Sequence, residues 1–374
     1  MDALLIVVCG VVVLGFLVFI HEGGHYLASR AFGVRVTEFM LGLPGPSIGF
    51  TCGGTKFGVT PILLGGYAKV CGMEPGEMEP HLKEVLAALY RRGEANMEDI
   101  AADCGISDEE AYAALEELVE WGSAIAPRKK DPYNTYRTPA YVPTKRELRK
   151  AAQAGQPAPA AYTLGQPRAV PDAAAAEELF QSEYRQQYRS LPFWKRSVIL
   201  VAGVAVNLLF AILAFIVVYS VIGVDATNSQ GQVVHVNANP LQAVQIGFMY
   251  IGMVVQAVAG LFNPATTAQV MQDSTTVVGI AVMAKTYVAA GLADAIFYMG
   301  AISVSLGIMN LLPIPPLDGG RFVVELFQKV TRKVVSLRAL NYLSLAGMAL
   351  FAVFFLVMLN QDITRLITGT FPGQ

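Results

Sequence analysis

The sequence is poor in charge and in cysteine. Of its 374 residues only 15% are charged, whereas 54% are hydrophobic. So few charges exclude an ordinary soluble domain and indicate an integral membrane protein. The formal net charge of −2 gives no overall attraction to nucleic acid. The 4 cysteines form no CxxC pair, which argues against a disulfide framework or a cysteine zinc ribbon.

Long apolar runs supply the membrane spans. Residues 3–20 are continuously apolar, and this helix is predicted to continue to about Arg30. At about 1.5 Å per residue it is long enough to cross a bilayer. Three further spans are predicted, at 198–223, 290–312 and 342–359. The shorter, glycine-interrupted run 244–262 is interpreted as an interfacial or re-entrant helix rather than as a fifth crossing.

Basic residues flank the predicted spans unevenly. They concentrate in the segment between the first and second spans and in the segment between the third and fourth spans. By the positive-inside rule both segments are expected in the cytoplasm. With four spans, both termini then lie outside.

The segments between the spans predict a small sheet and a helical insert. Between residues 34 and 70, short β-like runs alternate with Gly- and Pro-rich turns. This pattern indicates an antiparallel sheet at the cytoplasmic membrane surface, with an edge that can pair with an added strand. Three short helices and a strand pair are predicted from residue 81 onwards, and their order resembles a winged helix-turn-helix. The Ala- and Pro-rich stretch that begins at residue 151 is typical of a linker.

These patterns predict a polytopic α-helical membrane protein with about four transmembrane helices, a small membrane-associated β-sheet and an inserted cytoplasmic, winged-helix-like module. Four parts are expected: the first helix and sheet (1–73), the insert (74–150), the linker (151–192) and the remaining transmembrane core (193–374). The last predicted helix of the insert carries only acidic charges. DNA phosphates would be repelled, so the module 81–127 is expected to bind a protein partner, and nucleic acid is not expected.

Residues 20–31, IHEGGHYLASRA, place ionisable side chains at the end of the first span. His21 and His25 are four residues apart, so on a helix they share one face and can bind one metal ion. Glu22 lies beside them, where it can take a proton from the attacking water, as in HExxH zinc hydrolases. Histidines that only form hydrogen bonds within a helix bundle are the alternative, but ionisable groups within a membrane usually serve function.

A catalytic zinc ion needs a third protein ligand. The other two histidines, His81 and His235, lie in the predicted insert and in an outer loop, so a carboxylate is the better candidate. Asp318 follows the third span in NLLPIPPLDGG (310–320) and lies at a membrane depth similar to that of the histidines. A turn or cap residue before two glycines is the alternative role for Asp318.

Together, HEGGH in the first span and NLLPIPPLDGG at the third resemble the site-2 protease family of intramembrane zinc metalloproteases. The bacterial branch that cleaves membrane-bound anti-sigma factors is the most similar. Three further stretches match, namely GGYAKVCGM (65–73), FWKRSVILVAGVAVNLLFAI (193–212) and the approach to the third span (277–313). The resemblance implies a multi-pass protein of the inner (plasma) membrane with its active site near the cytoplasmic face.

The resemblance also implies a chemistry. Zn²⁺ would be bound by His21, His25 and Asp318, and Glu22 would be the general base. The protein would cleave transmembrane segments of single-span proteins, such as anti-sigma factors or signal-peptide-like substrates, in regulated intramembrane proteolysis.

Five more residues are implied to contact the substrate. Asn207 and Asn310 would be polar groups of the site wall, although an interhelical hydrogen bond is the alternative role for Asn207. The strand that includes Gly65, Gly66 and Tyr67 would hold an unwound substrate segment by adding it to the sheet.

Three features depart from the family pattern. Only about 224–243 lies where this branch usually carries PDZ domains, which is too short for one. Ser305 stands where relatives often have Asn, and the helical insert is not a usual part. The competing hypothesis is therefore a membrane-tethered regulatory or docking protein whose metal site is vestigial. A metal transporter fits poorly, because the sequence offers only one ionisable cluster.

Overall fold

The computed structural model describes residues 2–63, 65–73, 78–128, 131, 134–227 and 232–370. Within these ranges the chain is mostly helical. The helices, in chain order, are α1 (Asp2–Ala31), α2 (Leu82–Arg92), α3 (Met97–Cys104), α4 (Asp108–Glu120), α5 (Lys145–Gln153), α6 (Ala173–Tyr184), α7 (Phe193–Ile216), α8 (Pro240–Gly260), α9 (Thr267–Asp273), α10 (Val277–Ala290), α11 (Leu292–Asn310), α12 (Asp318–Thr331) and α13 (Leu337–Thr368). A π-helical turn, Val217–Ile222, continues α7.

The strands form one small sheet and two short pairs. They are β1 (Val36–Leu41), β2 (Ile48–Cys52), β3 (Thr55–Val59), β4 (Gly66–Val70), β5 (Glu94–Ala95), β6 (Tyr136–Arg137), β7 (Val224–Thr227) and β8 (Val233–Val236). The first four strands make a sheet in the order β2-β3-β1-β4. β1 and β3 pair in parallel, so the expectation of a wholly antiparallel sheet was wrong. β4 lies at the end of this order and pairs antiparallel with β1.

Among the residues that the structure describes, five helices are long and apolar enough to cross a membrane, namely α1, α7 with its π-helical continuation, α8, α11 and α13. Four of them overlap the predicted spans. The fifth, α8, covers most of the run that was interpreted as interfacial or re-entrant. Its 21 residues permit a crossing. The four-span count is therefore not confirmed, and the orientation derived from it stays a prediction.

The membrane helices pack around α1 and α7. Side chains from α1, α10 and α11 form one apolar cluster, which includes Val13, Leu17 and Tyr298. At the N-terminal end of α10, the buried carboxylate of Asp362 on α13 accepts hydrogen bonds from the backbone N–H and the hydroxyl of Thr276, at 2.7 and 2.6 Å. A carboxylate at a helix N-terminus satisfies donors that the helix leaves free, so this contact attaches α13 to the helix core.

Helices α2, α3 and α4 enclose a core of their own, with Leu86, Leu115 and Trp121 fully buried. A capping box begins α4, because Ser107 and Glu110 exchange hydrogen bonds there. β5 pairs with β6, and Ile125 bridges to β6 from the other side. The winged-helix assignment stays a prediction. Within the predicted linker, α6 packs on the core of this module, and the domain boundaries also stay predictions.

A buried ion pair joins the module to the membrane-associated sheet. Arg35, which directly precedes β1, donates to Glu183 of α6 at 2.8 Å and to the carbonyl of Gly122 at 2.9 Å. The Ser123 hydroxyl donates to the same Glu183 carboxylate at 2.6 Å. Buried charges are costly unless they are paired, and here each finds partners. The turn after α4 is thereby fixed at the start of the sheet that leads to the candidate site.

Candidate metal centre

Three potential metal ligands converge where α1, α7 and α12 meet. His21 and His25 lie one turn apart on α1 and are both buried. The Nε2 atoms of both rings lie 3.1 Å from Oδ2 of Asp318, and 3.4 Å from each other. Two imidazoles and a carboxylate, distant in sequence, therefore present one atom each to a common point.

The spacing of these three atoms suits a tetrahedral metal ion. Zinc bonds to histidine nitrogen and carboxylate oxygen at about 2.0–2.1 Å, so the edges of a tetrahedral site measure about 3.3–3.4 Å. The observed separations of 3.1, 3.1 and 3.4 Å are close to those edges. His21, His25 and Asp318 can thus bind one ion as a three-ligand set, with a fourth position left for water or substrate.

Hydrogen bonds on the far side of each ring fix the histidines. His25 donates from Nδ1 to the carbonyl of Ile199 on α7, at 2.8 Å. His21 Nδ1 lies 3.2 Å from the side-chain amide of the fully buried Asn207. Oδ1 of Asn207 has no hydrogen-bond partner among the described residues. The amide rotated by 180° lets Oδ1 accept the Nδ1 proton of His21. Both rings then offer Nε2 to a metal ion, as is usual for ligating histidines.

Two glycines let α1 and α7 approach at the ligands. A Cβ on Gly24 would lie 2.5 Å from the carbonyl oxygen of Ala202, and a Cβ on Gly203 would lie 2.4 Å from Nε2 of His25. Gly203 therefore provides the space that the imidazoles occupy. Gly23 has nothing within 4 Å of its Cβ position, so only one glycine of the HEGGH motif is required for packing. Gly203 was not predicted as a site residue, because its only signal in the sequence is a small residue in an apolar span.

A compact loop delivers Asp318. The chain leaves α11, passes through a cis peptide between Pro315 and Pro316, and begins α12 at Asp318. A Cβ on Gly319 would lie 2.1 Å from the carbonyl oxygen of Leu311, so only glycine fits there. Asp318 is the first residue of α12, and the helix N-terminus favours its negative charge.

The candidate general base contacts the edge strand of the sheet. Oε2 of Glu22 accepts a hydrogen bond of 3.0 Å from the backbone N–H of Ala68 in β4. Gly66, two residues earlier, packs so closely on α1 that a Cβ would lie 2.7 Å from Val18 and 3.3 Å from Glu22. β4 and the HExxH segment therefore form one surface.

A cavity of about 270 Å³ opens over the metal ligands. Its lining includes seven of the predicted site residues: His21, Glu22, His25, Gly66, Tyr67, Asn310 and Asp318. Asn207 lies behind His21, and Gly65 precedes β4 with a φ of 106°. Neither of these two lines the cavity, and contact of the predicted residues with substrate stays a prediction. Ala68, whose backbone N–H contacts Glu22, was not predicted as a site residue either.

Comparisons with known proteins agree with this site. The model of Peptidase family M50 matches residues 9–354. A protein of Campylobacter jejuni is 26% identical over 371 residues, which cover 96% of this chain and 93% of the relative. Proteins of Thermotoga maritima and Borreliella burgdorferi are 31% and 43% identical over shorter segments, covering 34% and 21% of this chain and 26% and 18% of those relatives. All three relatives bear the name putative zinc metalloprotease.

Proposed function

Since the chain belongs to Peptidase family M50, the family of the site-2 proteases, we propose that it is an intramembrane zinc metalloendopeptidase. The observation that carries this proposal is the convergence of His21, His25 and Asp318 beneath a cavity that Glu22 also lines. The substrates we propose are single-span membrane proteins, cut within their transmembrane segments in regulated intramembrane proteolysis. Anti-sigma factors and signal-peptide-like segments are the substrate classes that the resemblance of the HEGGH and NLLPIPPLDGG motifs favours.

The donor set is suited to zinc. Two neutral imidazoles and one carboxylate, each held by a second group, form an open three-ligand site. Zinc bound there would polarise the scissile carbonyl and acidify water. Glu22 lies next to His21 in the same cavity, where it can accept the proton of the attacking water and pass it to the leaving amine. Asn310, on the cavity wall, can donate from its side-chain amide to the substrate.

The edge strand β4 can stabilise the unwound form of a helical substrate. A peptide bond in a helix is shielded, because its N–H and C=O groups are bonded within the helix. β4 lies beside the metal ligands and, among the described strands, pairs only with β1. A substrate segment that unwinds can add to the free edge of β4 and recover the lost hydrogen bonds. Gly66 and Tyr67 belong to this strand, and Gly65 directly precedes it.

The membrane setting and the partners follow from the same proposal. We place the protein in the inner (plasma) membrane with the metal centre near the cytoplasmic face, because basic residues concentrate around the insert and in the segment between α11 and α13. With four crossings, both termini would be outside. The module 81–127 would lie in the cytoplasm and bind a protein partner. Its exposed acidic residues, such as Asp108 and Glu109, argue against nucleic acid.

Metal analysis and a cleavage assay test the function. Purified protein is expected to contain about one zinc per chain and to cleave a single-span reporter in detergent or vesicles. Glu22→Gln should abolish cleavage and retain zinc, whereas the matched surface change Glu109→Gln should alter neither. Full activity of Glu22→Gln would contradict the proposal. A regulatory protein with a vestigial site instead predicts that deletion of 81–127 abolishes function, while changes at Glu22 and Asp318 have no effect.

A further inference from the structure

A second cavity adjoins the one over the metal ligands. Its volume is about 200 Å³, and it shares five lining residues with the first cavity: Ala68, Val70, Met73, Leu200 and Arg321. The two cavities are therefore neighbouring compartments of one groove. Nothing in the chemistry proposed above uses the second compartment.

β4 runs along both compartments. Gly66 and Tyr67 line only the compartment at the metal ligands, Lys69 lines only the second, and Ala68 and Val70 line both. An extended chain advances about 3.3–3.4 Å per residue. Val70 therefore lies about 7 Å along the strand from Ala68, whose N–H faces Glu22. A substrate strand on the edge of β4 that places its cleaved bond at Glu22 would place the side chain two residues away in the second compartment.

The lining of the second compartment is largely apolar. Val70, Leu200 and Val324 contribute aliphatic groups, and the buried Tyr188 contributes its ring. A cavity of about 150 Å³ with an apolar lining can hold a benzene molecule, so this compartment is large enough for a leucine, methionine or phenylalanine side chain.

Four polar side chains also line this compartment. Three of them, Arg321, Glu325 and Gln328, are spaced at i, i+4 and i+7 on α12, and the fourth is Lys69 of β4. Glu325 is paired with Arg196 of α7, at 2.8 Å, so its charge is already compensated. A basic substrate side chain would lose its hydration here without gaining a free counter-ion at Glu325. The aliphatic and aromatic lining therefore favours an apolar side chain over a basic one.

We propose that this compartment is a specificity subsite, which accepts a large apolar side chain of the substrate two residues from the cleaved bond. The proposal rests on the proposed protease function and adds a sequence preference to it. Removal of one methylene from a side chain in an apolar pocket typically changes kcat/KM by about 10- to 200-fold. The subsite therefore predicts a strong preference of Leu, Met or Phe over Gly at one substrate position.

Single-span reporter proteins test this preference. They are identical except at one position, which lies two residues before or two residues after the cleaved bond. Wild-type protein is expected to cleave the Leu or Phe reporter at least about 10-fold faster than the Gly reporter, at one of the two positions. Val324→Trp, which fills the compartment, should remove this preference. Val323→Trp is the matched control, because Val323 is 44% exposed on α12 and does not line the compartment. Val324→Ala enlarges the compartment and should favour a Trp reporter.

Cross-linking provides a readout that does not need turnover. On addition of a mild thiol oxidant, which takes up the two electrons released, Glu22→Gln protein that carries Val324→Cys should form a disulfide with a reporter that has cysteine at the preferred position, and the Val323→Cys control should not. Burial raises the pKa of the Cys71 thiol to about 11, so this nearby cysteine stays unreactive. Protein without an added cysteine measures the background from the exposed Cys52.

The outcomes separate the subsite from the protease function. Equal cleavage of all reporters by wild-type protein, or equal effects of Val324→Trp and Val323→Trp, would overturn the subsite and leave the protease function standing. A wild-type protein that cleaves none of the reporters would overturn the protease function and, with it, the subsite. The subsite and the protease function are both supported if the preference for a large apolar side chain is lost only in Val324→Trp and cross-linking occurs only at Val324→Cys.

Discussion

The backbone N–H of Ala68 donates a hydrogen bond of 3.0 Å to the carboxylate of Glu22. Ala68 stands opposite Phe39 in the β1–β4 pair, and its N–H faces the outer edge of the sheet rather than β1. This donor is one that a substrate strand would use if it added to β4. The general base and the substrate therefore share one donor, so substrate pairing and the position of the base are coupled through β4.

Replacement of Ala68 by proline tests this coupling. Ala68→Pro removes the N–H without removing a bond to β1, and proline is tolerated on an edge strand. Loss of a hydrogen bond to a charged group costs about 1.5–3 kcal/mol, so kcat/KM should fall at least about 10-fold while the zinc content is unchanged. Ala68→Gly retains the N–H and should remain within a few-fold of wild type. Equal rates for the two variants would show that the bond does not position the base.

Gly203 should be essential for metal binding. A Cβ at this position would lie 2.4 Å from Nε2 of His25, closer than two such atoms can approach, so Gly203→Ala must displace the ligand or separate α1 from α7. We expect a loss of bound zinc and a lower Tm. Gly23→Ala is the matched control, because its Cβ enters open space and alanine favours a helix by about 1 kcal/mol. Zinc content and thermal unfolding measure both effects, and normal zinc content in Gly203→Ala would contradict this reading.

Asn207 is expected to act on the metal ion through His21. Loss of a hydrogen-bond partner of a ligating histidine typically weakens metal affinity 10- to 100-fold, so Asn207→Ala should release zinc to a chelator at a lower concentration. Asn207→Asp keeps an acceptor for the Nδ1 proton and should retain zinc. Unchanged zinc affinity in Asn207→Ala, combined with a rise in KM, would instead indicate that Asn207 contacts the substrate.

The ligand set could be predicted from sequence because its pattern is local. Helical periodicity alone places His21 and His25 on one face, whereas Asp318 was assigned through the resemblance of NLLPIPPLDGG to the family motif. The close packing at Gly203 depends on tertiary structure and not on a local sequence pattern. It exists only where α7 crosses α1, and a glycine in an apolar run does not reveal its neighbours. The donor at Ala68 is a backbone group, so its side chain carries no signal.

Pairing and membrane depth were harder to predict for physical reasons. The parallel pair of β1 and β3 joins strands that β2 separates, whereas turn signals indicate only local pairing. The apolar run in α8 is short and contains glycines, so its hydropathy suits an interfacial helix as well as a crossing one. The buried pair of Arg35 and Glu183 had no signature either, because the two residues are 148 positions apart.

That ion pair should control the docking of the insert. Glu183→Ala leaves the largely buried guanidinium of Arg35, whose side chain is 20% exposed, without its counter-ion. The cost is expected to lie below the roughly 3–5 kcal/mol of breaking a fully buried pair. We expect the module to detach and to become sensitive to limited proteolysis within 78–192, while zinc stays bound.

Two further variants complete this test. Glu178→Ala, on the exposed side of the same helix, is the matched control and should keep wild-type resistance to protease. Arg35→Met combined with Glu183→Met removes both charges, and a buried pair replaced by apolar residues is often no less stable. Resistance should therefore return in the double variant. If Glu183→Ala is as resistant as Glu178→Ala, other contacts hold the module, and the turn at Gly122 and Ser123 becomes the next site to change.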